Sequence, residues 1–252
     1  MSRDQLSRDG ITGPHELADK SGLDAVCEVV LELKALQRQQ NIVARLTGLP
    51  NEAPNPLIDR HMDIDVIRNL YFDDNLQAAL AEHFGNGLFI WRTNFFVKSD
   101  GTGQNKWHHD RHFENGNVPL NLFDTSNHFS ITIALTDIDL NAGRIEYVRG
   151  SHLPIDGWDR DIPRHIDEVP EVVQDRVTPL PLKRGQFVLF HGQLLHRSLE
   201  FGHGDRRISM AARVLRVGTQ IPDYGVPNPA GGAHSAAEPV AEFRRSGILP
   251  LN

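Results

Sequence analysis

Five short segments between residues 88 and 217 constrain the fold more than any other feature of the chain. Each is rich in β-branched or aromatic residues and is bounded by turn sequences such as SDGTG, LNAG, LKRG and GHGD. A parallel sheet would need helices of about 10–15 residues between such strands, and no pattern of that kind separates them. The segments therefore predict antiparallel sheets forming a sandwich or barrel. The predicted strands are 88–98, 128–138, 143–150, 185–191 and 206–217.

The residues before this β region are predicted to be mainly helical. Apolar side chains recur at helical spacing from Ser21 to Gly48, so we expect a helix capped by Ser21 and ended by Gly48. Residues 63–87 predict one or two short helices. We expect a single domain over residues 1–252, with a helical part at about 1–87, a β core at about 88–217 and an irregular tail at 218–252.

Charge and cysteine content restrict the function classes. The net charge of −7 and the pI near 6 argue against a nucleic-acid-binding protein, which usually has a basic face. Cys27 has no partner for an intrachain disulfide, which suits a reducing cytoplasm. The sequence contains no signal-peptide-like start and no apolar run of membrane-spanning length. We expect a soluble cytoplasmic protein that binds a small molecule, and the sequence predicts no oligomeric state.

The stretch NKWHHDRHFENGN, residues 105–117, is dense in metal-binding side chains. In an extended segment, His108 and Asp110 point the same way while His109 points away. Two histidines and one carboxylate with open positions form the donor set of non-haem Fe(II) oxygenases, so one distant histidine is needed. A chain this long folds without a metal, which makes a functional metal the better interpretation. The candidates for the distant ligand are His191, His196 and His203.

A possible diacid site follows these histidines. Arg207 lies eleven residues beyond His196, and Ser209 shares its face of a predicted strand. A guanidinium fork and a hydroxyl pointing the same way suit the far carboxylate of a small diacid bound to the metal.

The chain resembles the phytanoyl-CoA dioxygenase family of Fe(II)- and 2-oxoglutarate-dependent oxygenases, which includes bacterial hydroxylases of small metabolites such as ectoine. Trp107–Asp110 is similar to the family's W-H-x-D, and IALTDIDLNAGRIEYVRGSH at 133–152 to its motif ending in P-G-S-H. Gly185–Arg207 resembles its G-D…F-H-x-x-L-x-H-x-S motif with a following arginine, and Arg8–Gly10 its opening R-D-G. The sequence departs from the family pattern at Arg149, where proline is usual, and at Ala142-Gly143, where Asn-Gly is usual.

The resemblance implies a mainly β fold, with a double-stranded β-helix (jelly-roll, cupin-like) core and N-terminal helices packed on it. It implies Fe(II), 2-oxoglutarate and O2 as cofactors, and hydroxylation of an unactivated C–H bond with release of succinate and CO2. His191 becomes a structural or supporting residue. The implied iron ligands are His108, Asp110 and His196. The implied 2-oxoglutarate contacts are Arg207 with Ser209 or Ser198.

Asp110 matters for the outcome, because related halogenases carry a small residue at this position. A carboxylate favours hydroxylation, or another oxidation such as desaturation or ring formation.

Substrate contacts are predicted from position alone. Alternation in IWRTNFF places Arg92 and Asn94 on one face, where they could bind a substrate carboxylate or the cosubstrate. Arg111, His112 and Glu114 follow the implied ligands, and their mixed charges suit an amino acid or a similar polar metabolite. The turn-rich segments 111–128 and 218–240 are expected to form a lid.

Two other classes of function stay open. A non-catalytic cupin-like binding protein would share the β core and the metal but would not need Arg207 and Ser209. A Zn²⁺ hydrolase could use the same three ligands and would normally need a nearby general base.

Overall fold

The computed structural model describes residues 3–48, 55–110, 128–139, 143–158, 165–202, 204–216 and 249–251. The helices in these ranges are α1 (Arg3–Asp9), α2 (Leu23–Thr47), α3 (Asp65–Leu70) and α4 (Asp74–Phe84). The strands are β1 (Ile11–Glu16), β2 (Leu88–Lys98), β3 (Trp107–His108), β4 (His128–Ala134), β5 (Ile145–Val148), β6 (His165–Ile166), β7 (Val177–Leu180), β8 (Gln186–His191), β9 (His196–Ser198), β10 (Arg207–Arg216) and β11 (Leu249–Leu251).

The described strands form two antiparallel sheets. The first has six strands in the order β1-β8-β4-β10-β2-β11, and the second has five in the order β6-β3-β9-β5-β7. Apolar side chains from both sheets meet in one buried cluster, in which Val188 and Phe190 of the first sheet join Ile145 and Leu180 of the second. The predicted mainly β, jelly-roll class is confirmed, and all five predicted strands are present within a few residues of their expected bounds.

Strand β10 is buried along both faces, and the two faces differ in chemistry. One face packs into the apolar cluster shared with the helices, through Ile208, Met210, Ala212 and Val214. The other face turns to the space between the sheets and carries Arg207, Ser209, Ala211 and Arg213. Because successive side chains on a strand point to opposite faces, this one strand places polar side chains in the interior of the β core.

The helices cover the outer face of the six-stranded sheet. Leu23, Val26 and Val30 of α2 pack in the same cluster as Ile131 of β4 and Phe187 of β8. This cluster places the N-terminal helices on the core, as expected. No helix among the described residues is long and apolar enough to cross a lipid bilayer.

The ends of α2 agree only in part with the prediction. Gly48 ends the helix at φ 66, as predicted, because glycine adopts this left-handed conformation without strain. The expected cap at Ser21 is wrong: Gly22 occupies the N-cap position, and no side chain caps the helix there.

Two strands lie where none was expected. β1 falls inside the part predicted to be helical and pairs with β8, with Ile11 opposite Phe190. β11 falls inside the tail predicted to be irregular and pairs with β2. Neither segment shows alternating polarity, and both contain a proline. The remainder of the tail lies outside the described residues.

The Arg8–Gly10 motif packs directly on the Gly150–His152 motif. The Gly150 amide donates to the Asp9 carbonyl at 2.9 Å, and the His191 amide donates to the Gly10 carbonyl at 3.0 Å. Gly10 has φ +82, and a Cβ there would lie 2.5 Å from His152 Nδ1, so a larger residue would clash. The two sequence motifs that resemble the family thus form one structural contact.

Candidate metal centre

Three of the predicted residues converge at one end of the five-stranded sheet. His108 on β3 lies opposite His196 on β9 in the strand register, and Asp110 follows β3 by two residues. One ligand atom from each lies within 4.8 Å of the others. The distance from His196 Nε2 to Asp110 Oδ1 is 3.8 Å. No other such group of histidine, cysteine or carboxylate side chains occurs in the part of the chain that the structure describes.

Both imidazoles present the same nitrogen to the site. His108 Nδ1 lies 2.9 Å from the Lys106 carbonyl, and His196 Nδ1 lies 3.0 Å from the Leu194 carbonyl. A carbonyl oxygen only accepts, so each Nδ1 carries the proton and each Nε2 keeps its lone pair. Burial, reinforced by the charge of His196, lowers the pKa of His108 to about 3. This ring is therefore neutral at physiological pH, as metal ligation requires.

Asp110 is almost completely buried and is held at both oxygens. Ser130 Oγ donates to Oδ2 at 2.7 Å, and Arg213 Nη2 lies 2.6 Å from Oδ1. Burial alone would raise the pKa of this carboxyl, but the charge of Arg213, followed by the two histidines and the Ser130 hydrogen bond, holds it well below its usual range. The site therefore offers two imidazoles and one carboxylate, a donor set that fits Fe(II).

Arg207 lies in the same cavity and has no protein partner among the described residues. Its residue surface is 2% exposed, and its guanidinium makes no hydrogen bond or ion pair with any of them. Burial lowers its pKa to about 10, which leaves it charged at neutral pH. An unpaired buried charge is costly, so this arginine fits an anionic ligand that completes the site.

Lys98 connects the segments that carry the two histidines. Its Nζ donates to the carbonyls of Gly103, before β3, and Leu199, after β9, both at 2.7 Å. Burial and the nearby charge of Arg207 lower the pKa of Lys98 to about 8. Its stem passes under Gly143, where a Cβ would lie 2.7 Å from Lys98 Cδ.

The cavity between the sheets contains six of the predicted residues. Its mixed wall joins the polar site residues to apolar side chains from both sheets. The lining residues are Ile11, Phe96, Asn105, His108, Asp110, Thr132, Ile145, Tyr147, Leu180, Phe190, Leu194, His196, Arg197, Ser198, Arg207, Ser209, Ala211 and Arg213.

The predicted contacts Arg92 and Asn94 are not part of this wall. They lie opposite Arg213 and Ala211 in the strand register, on the expected inner face, but Arg92 Nε lies 3.7 Å from Asp59 Oδ2. Asn94 lines a separate groove. Arg111, His112 and Glu114 lie outside the described residues, as does most of the predicted lid.

The other histidines within the described ranges do not line the cavity. His109, between His108 and Asp110, is buried outside its wall. His191 stacks on His152, with ring centroids 4.9 Å apart and an interplanar angle of 2°. This contact supports the structural interpretation of His191. His203 lies outside the described residues.

Sequence reasoning missed the two residues that hold Asp110. The alternation that placed Arg207 and Ser209 on one face would also have placed Arg213 there, had it been continued along the strand. Ser130 gives no comparable signal, because its contact depends on how β4 lies beside β10 in the sheet.

A model of the phytanoyl-CoA dioxygenase (PhyH) family matches residues 6–208. The chain belongs to this family. It is accordingly an enzyme, a non-haem iron oxygenase that depends on 2-oxoglutarate and uses Fe(II) and O2, as the sequence predicted. A search of curated proteins gave no match.

Solved structures share the fold at low sequence identity. The α-ketoglutarate-dependent carbocyclase SnoK from nogalamycin biosynthesis is 18% identical, with a TM-score of 0.62 over 85% of this chain and 83% of its own. CytC3 with Fe(II) and α-ketoglutarate is 21% identical, with a TM-score of 0.56 over 92% and 83%. The epimerase SnoN, in complex with Fe³⁺, α-ketoglutarate and nogalamycin RO, is 16% identical, with a TM-score of 0.60 over 85% and 82%. These similarities agree with the jelly-roll fold class.

Proposed function

We propose that this enzyme hydroxylates an unactivated C–H bond of a small, carboxylate-bearing polar metabolite, such as an amino acid or a derivative. 2-Oxoglutarate would be converted to succinate and CO2 in the same reaction. The observation that carries the proposal is the presence, in one cavity, of a His-Asp-His group and a buried arginine that has no partner among the described residues.

His108, Asp110 and His196 would hold the metal through the two free Nε2 atoms and one carboxylate oxygen. When bound there, iron supplies the oxygen chemistry that oxidises a C–H bond with 2-oxoglutarate as the second reductant. The contribution of the chain is to fix these donors. The Lys106 and Leu194 carbonyls orient the imidazoles.

Arg207 would bind the distal carboxylate of 2-oxoglutarate through its guanidinium fork, with Ser209 or Ser198 as an additional donor. All three line the cavity that contains the His-Asp-His group. A purely metal-binding cupin would gain nothing from a buried, unpaired guanidinium. A Zn²⁺ hydrolase would need a general base, and Asp110 is the only carboxylate among the described residues of the cavity wall.

The charges of the cavity favour an acidic group on the substrate. Arg213 is matched by Asp110. Arg197 pairs with Glu146, which lies behind the wall and also pairs with Arg144. Arg207, a divalent iron and the doubly charged 2-oxoglutarate together leave one positive charge, which a substrate carboxylate would balance. The apolar side chains of Phe96, Ile145 and similar residues would then contact the carbon skeleton of the substrate.

The presence of Asp110 favours oxygen insertion over halogenation, because the carboxylate fills a metal position that a halide would need. Arg92, which lies beside Asp59 outside the described cavity wall, remains the predicted contact for the substrate carboxylate, together with Arg111, His112 and Glu114.

The test is a metabolite screen with the Fe(II)-loaded enzyme. Protein loaded anaerobically with Fe(II) and 2-oxoglutarate is mixed with air-saturated solutions of amino acids, amino-acid derivatives, neutral metabolites and acyl-CoA thioesters, and succinate and product mass are measured. We expect coupled succinate release and a mass gain of one oxygen only with carboxylate-bearing small molecules. Activity confined to acyl-CoA thioesters would overturn the substrate class.

Arg92→Ala serves as the positional control once a substrate is found. It should raise the KM for the substrate more than the KM for 2-oxoglutarate. The reverse ratio would assign Arg92 to the cosubstrate instead.

A further inference from the structure

Arg213 is a largely buried arginine that contacts the candidate metal ligand Asp110. Its side chain is about 10% exposed, and its Nη2 lies 2.6 Å from Asp110 Oδ1. No acid other than Asp110 forms an ion pair with Arg213 among the residues that the structure describes. An ion pair of this length between two largely buried groups restrains both side chains.

The register of the sheet places a second arginine next to Arg213. Arg213 on β10 lies directly opposite Arg92 on β2, and like charges opposite one another destabilise a sheet. Each arginine instead faces its own acid, Asp110 for Arg213 and Asp59 for Arg92. Each acid offsets the charge of its own arginine, and one of those acids belongs to the metal centre.

The second contact on Asp110 completes the restraint. Ser130 Oγ donates to Oδ2 at 2.7 Å, so the two carboxylate oxygens are held from different strands. Oδ1, which lies 3.8 Å from His196 Nε2, is the oxygen that faces the imidazoles. A carboxylate held at both ends cannot rotate freely to give both oxygens to one metal ion.

We infer that Arg213 is a positioning residue that, together with Ser130, restricts Asp110 to a single-oxygen ligand and so keeps the adjoining metal positions open for the 2-oxo acid. This inference rests on the metal role proposed above. Without Arg213, the carboxylate is free to supply its second oxygen and occupy a position that the 2-oxo acid needs. The variant should therefore keep the metal and lose affinity for any ligand that chelates it.

The test separates chelation at the metal from recognition of the distal carboxylate. Oxalate has the chelating half of 2-oxoglutarate but no group that reaches Arg207. Co(II)-loaded wild type, Arg213→Met, Arg207→Met and the control Arg206→Met, which removes an exposed neighbouring charge, are titrated with oxalate and with 2-oxoglutarate by calorimetry. The visible spectrum of Co(II) reports its coordination in each protein.

Arg213→Met should retain Co(II), show an altered visible spectrum, and bind both oxalate and 2-oxoglutarate about 10–100-fold more weakly, a loss of the size that removing a supporting contact on a metal ligand causes in metal affinity or activity. Arg207→Met should weaken binding of 2-oxoglutarate while oxalate binding stays at the wild-type level. Arg206→Met should match the wild type throughout. Arg213→Lys, which keeps the charge and one contact, should lie between Arg213→Met and the wild type.

Unchanged oxalate affinity in Arg213→Met would overturn the inference, and so would loss of Co(II) from a folded Arg213→Met. If circular dichroism shows that this variant is unfolded, Ser130→Ala carries the test, because it removes the other restraint without changing charge and should weaken oxalate binding in the same direction. A wild type that binds neither Co(II) nor 2-oxoglutarate would overturn the proposed function itself, which is a distinguishable result.

Discussion

Replacing Arg207 by methionine should act in opposite directions on the free protein and on its complex with 2-oxoglutarate. In the free protein the guanidinium is buried, charged and without a partner among the described residues. Methionine has a similar length and no charge, so it should stabilise the free fold. The same change removes the group expected to bind the distal carboxylate, so it should weaken cosubstrate binding.

The size of the stability effect follows from the burial of Arg207, and the size of the binding effect from the usual cost of losing a buried charge partner. Burial lowers the pKa of Arg207 to about 10. Because the folded-state pKa of this base is depressed, the charged form destabilises the fold at every pH below 10, by about 3 kcal/mol. Relief of that cost corresponds to a rise in Tm of roughly 6–12 °C for a chain of this size. Loss of the carboxylate contact should cost about 2–5 kcal/mol of binding, or roughly 30-fold to several thousand-fold in Kd.

The assay is thermal unfolding of metal-loaded protein with and without 2-oxoglutarate. Wild type should gain about 2.7 kcal/mol at a ligand concentration of one hundred times Kd, whereas Arg207→Met should gain almost nothing at the same concentration. Arg206→Met, with its exposed side chain, should behave as wild type. A free Arg207→Met protein less stable than wild type would refute the argument from burial, and an unchanged response to 2-oxoglutarate would refute the cosubstrate assignment.

Three further outcomes are expected. Alanine at His108, Asp110 or His196 should abolish succinate formation while the circular dichroism spectrum stays native. His191→Ala should still bind the metal. Loss of the metal in His191→Ala but not in His196→Ala would exchange the roles of these two histidines. Asp110→Gly should let chloride bind the metal-loaded protein and should sharply lower hydroxylation, while wild type in saturating chloride gives only oxygenated product by mass spectrometry. Burial raises the pKa of Asp59 to about 6, so the folded state binds its proton more tightly than the unfolded state. The free energy of unfolding should therefore fall by about 2 kcal/mol from pH 4 to pH 7. Urea titrations should show this loss in wild type and a flatter profile in Asp59→Asn.

The β core was predictable because its strands carry a local signal. Residues 88–98 and 207–216 combine β-branched and aromatic residues with clear turns at both ends, and the structure has strands at both places. β3, β6 and β9 have two or three residues each, which is too short for any periodicity. β1 was missed for a different reason, because the Gly-Pro pair in ITGPHE interrupts the alternation expected of a strand, although proline is tolerated in an edge strand.

The site was predictable where spacing along the chain carried the chemistry. His108 and Asp110 are two residues apart, so an extended backbone alone brings them together. The contacts of Asp110 with Ser130 and Arg213 arise from strand order, which residue spacing does not encode. The contact of Arg92 could not be predicted from spacing either. Its described acidic partner, Asp59, lies in a connecting segment before the helices α3 and α4.

The alternation along β10 has a consequence for how the enzyme can fail. Arg207 and Arg213 are six residues apart on one strand, and the strand is packed on both sides, so a shift of one residue would turn both arginines toward the helices and send Ile208 and Val214 into the catalytic cavity. Such a shifted chain would bury two unmatched cations in an apolar layer and lose the proposed cosubstrate contact in the same event. Correct pairing of β10 in the sheet is therefore also a condition for activity. Every molecule that folds with β10 in its native register has both arginines facing the cavity.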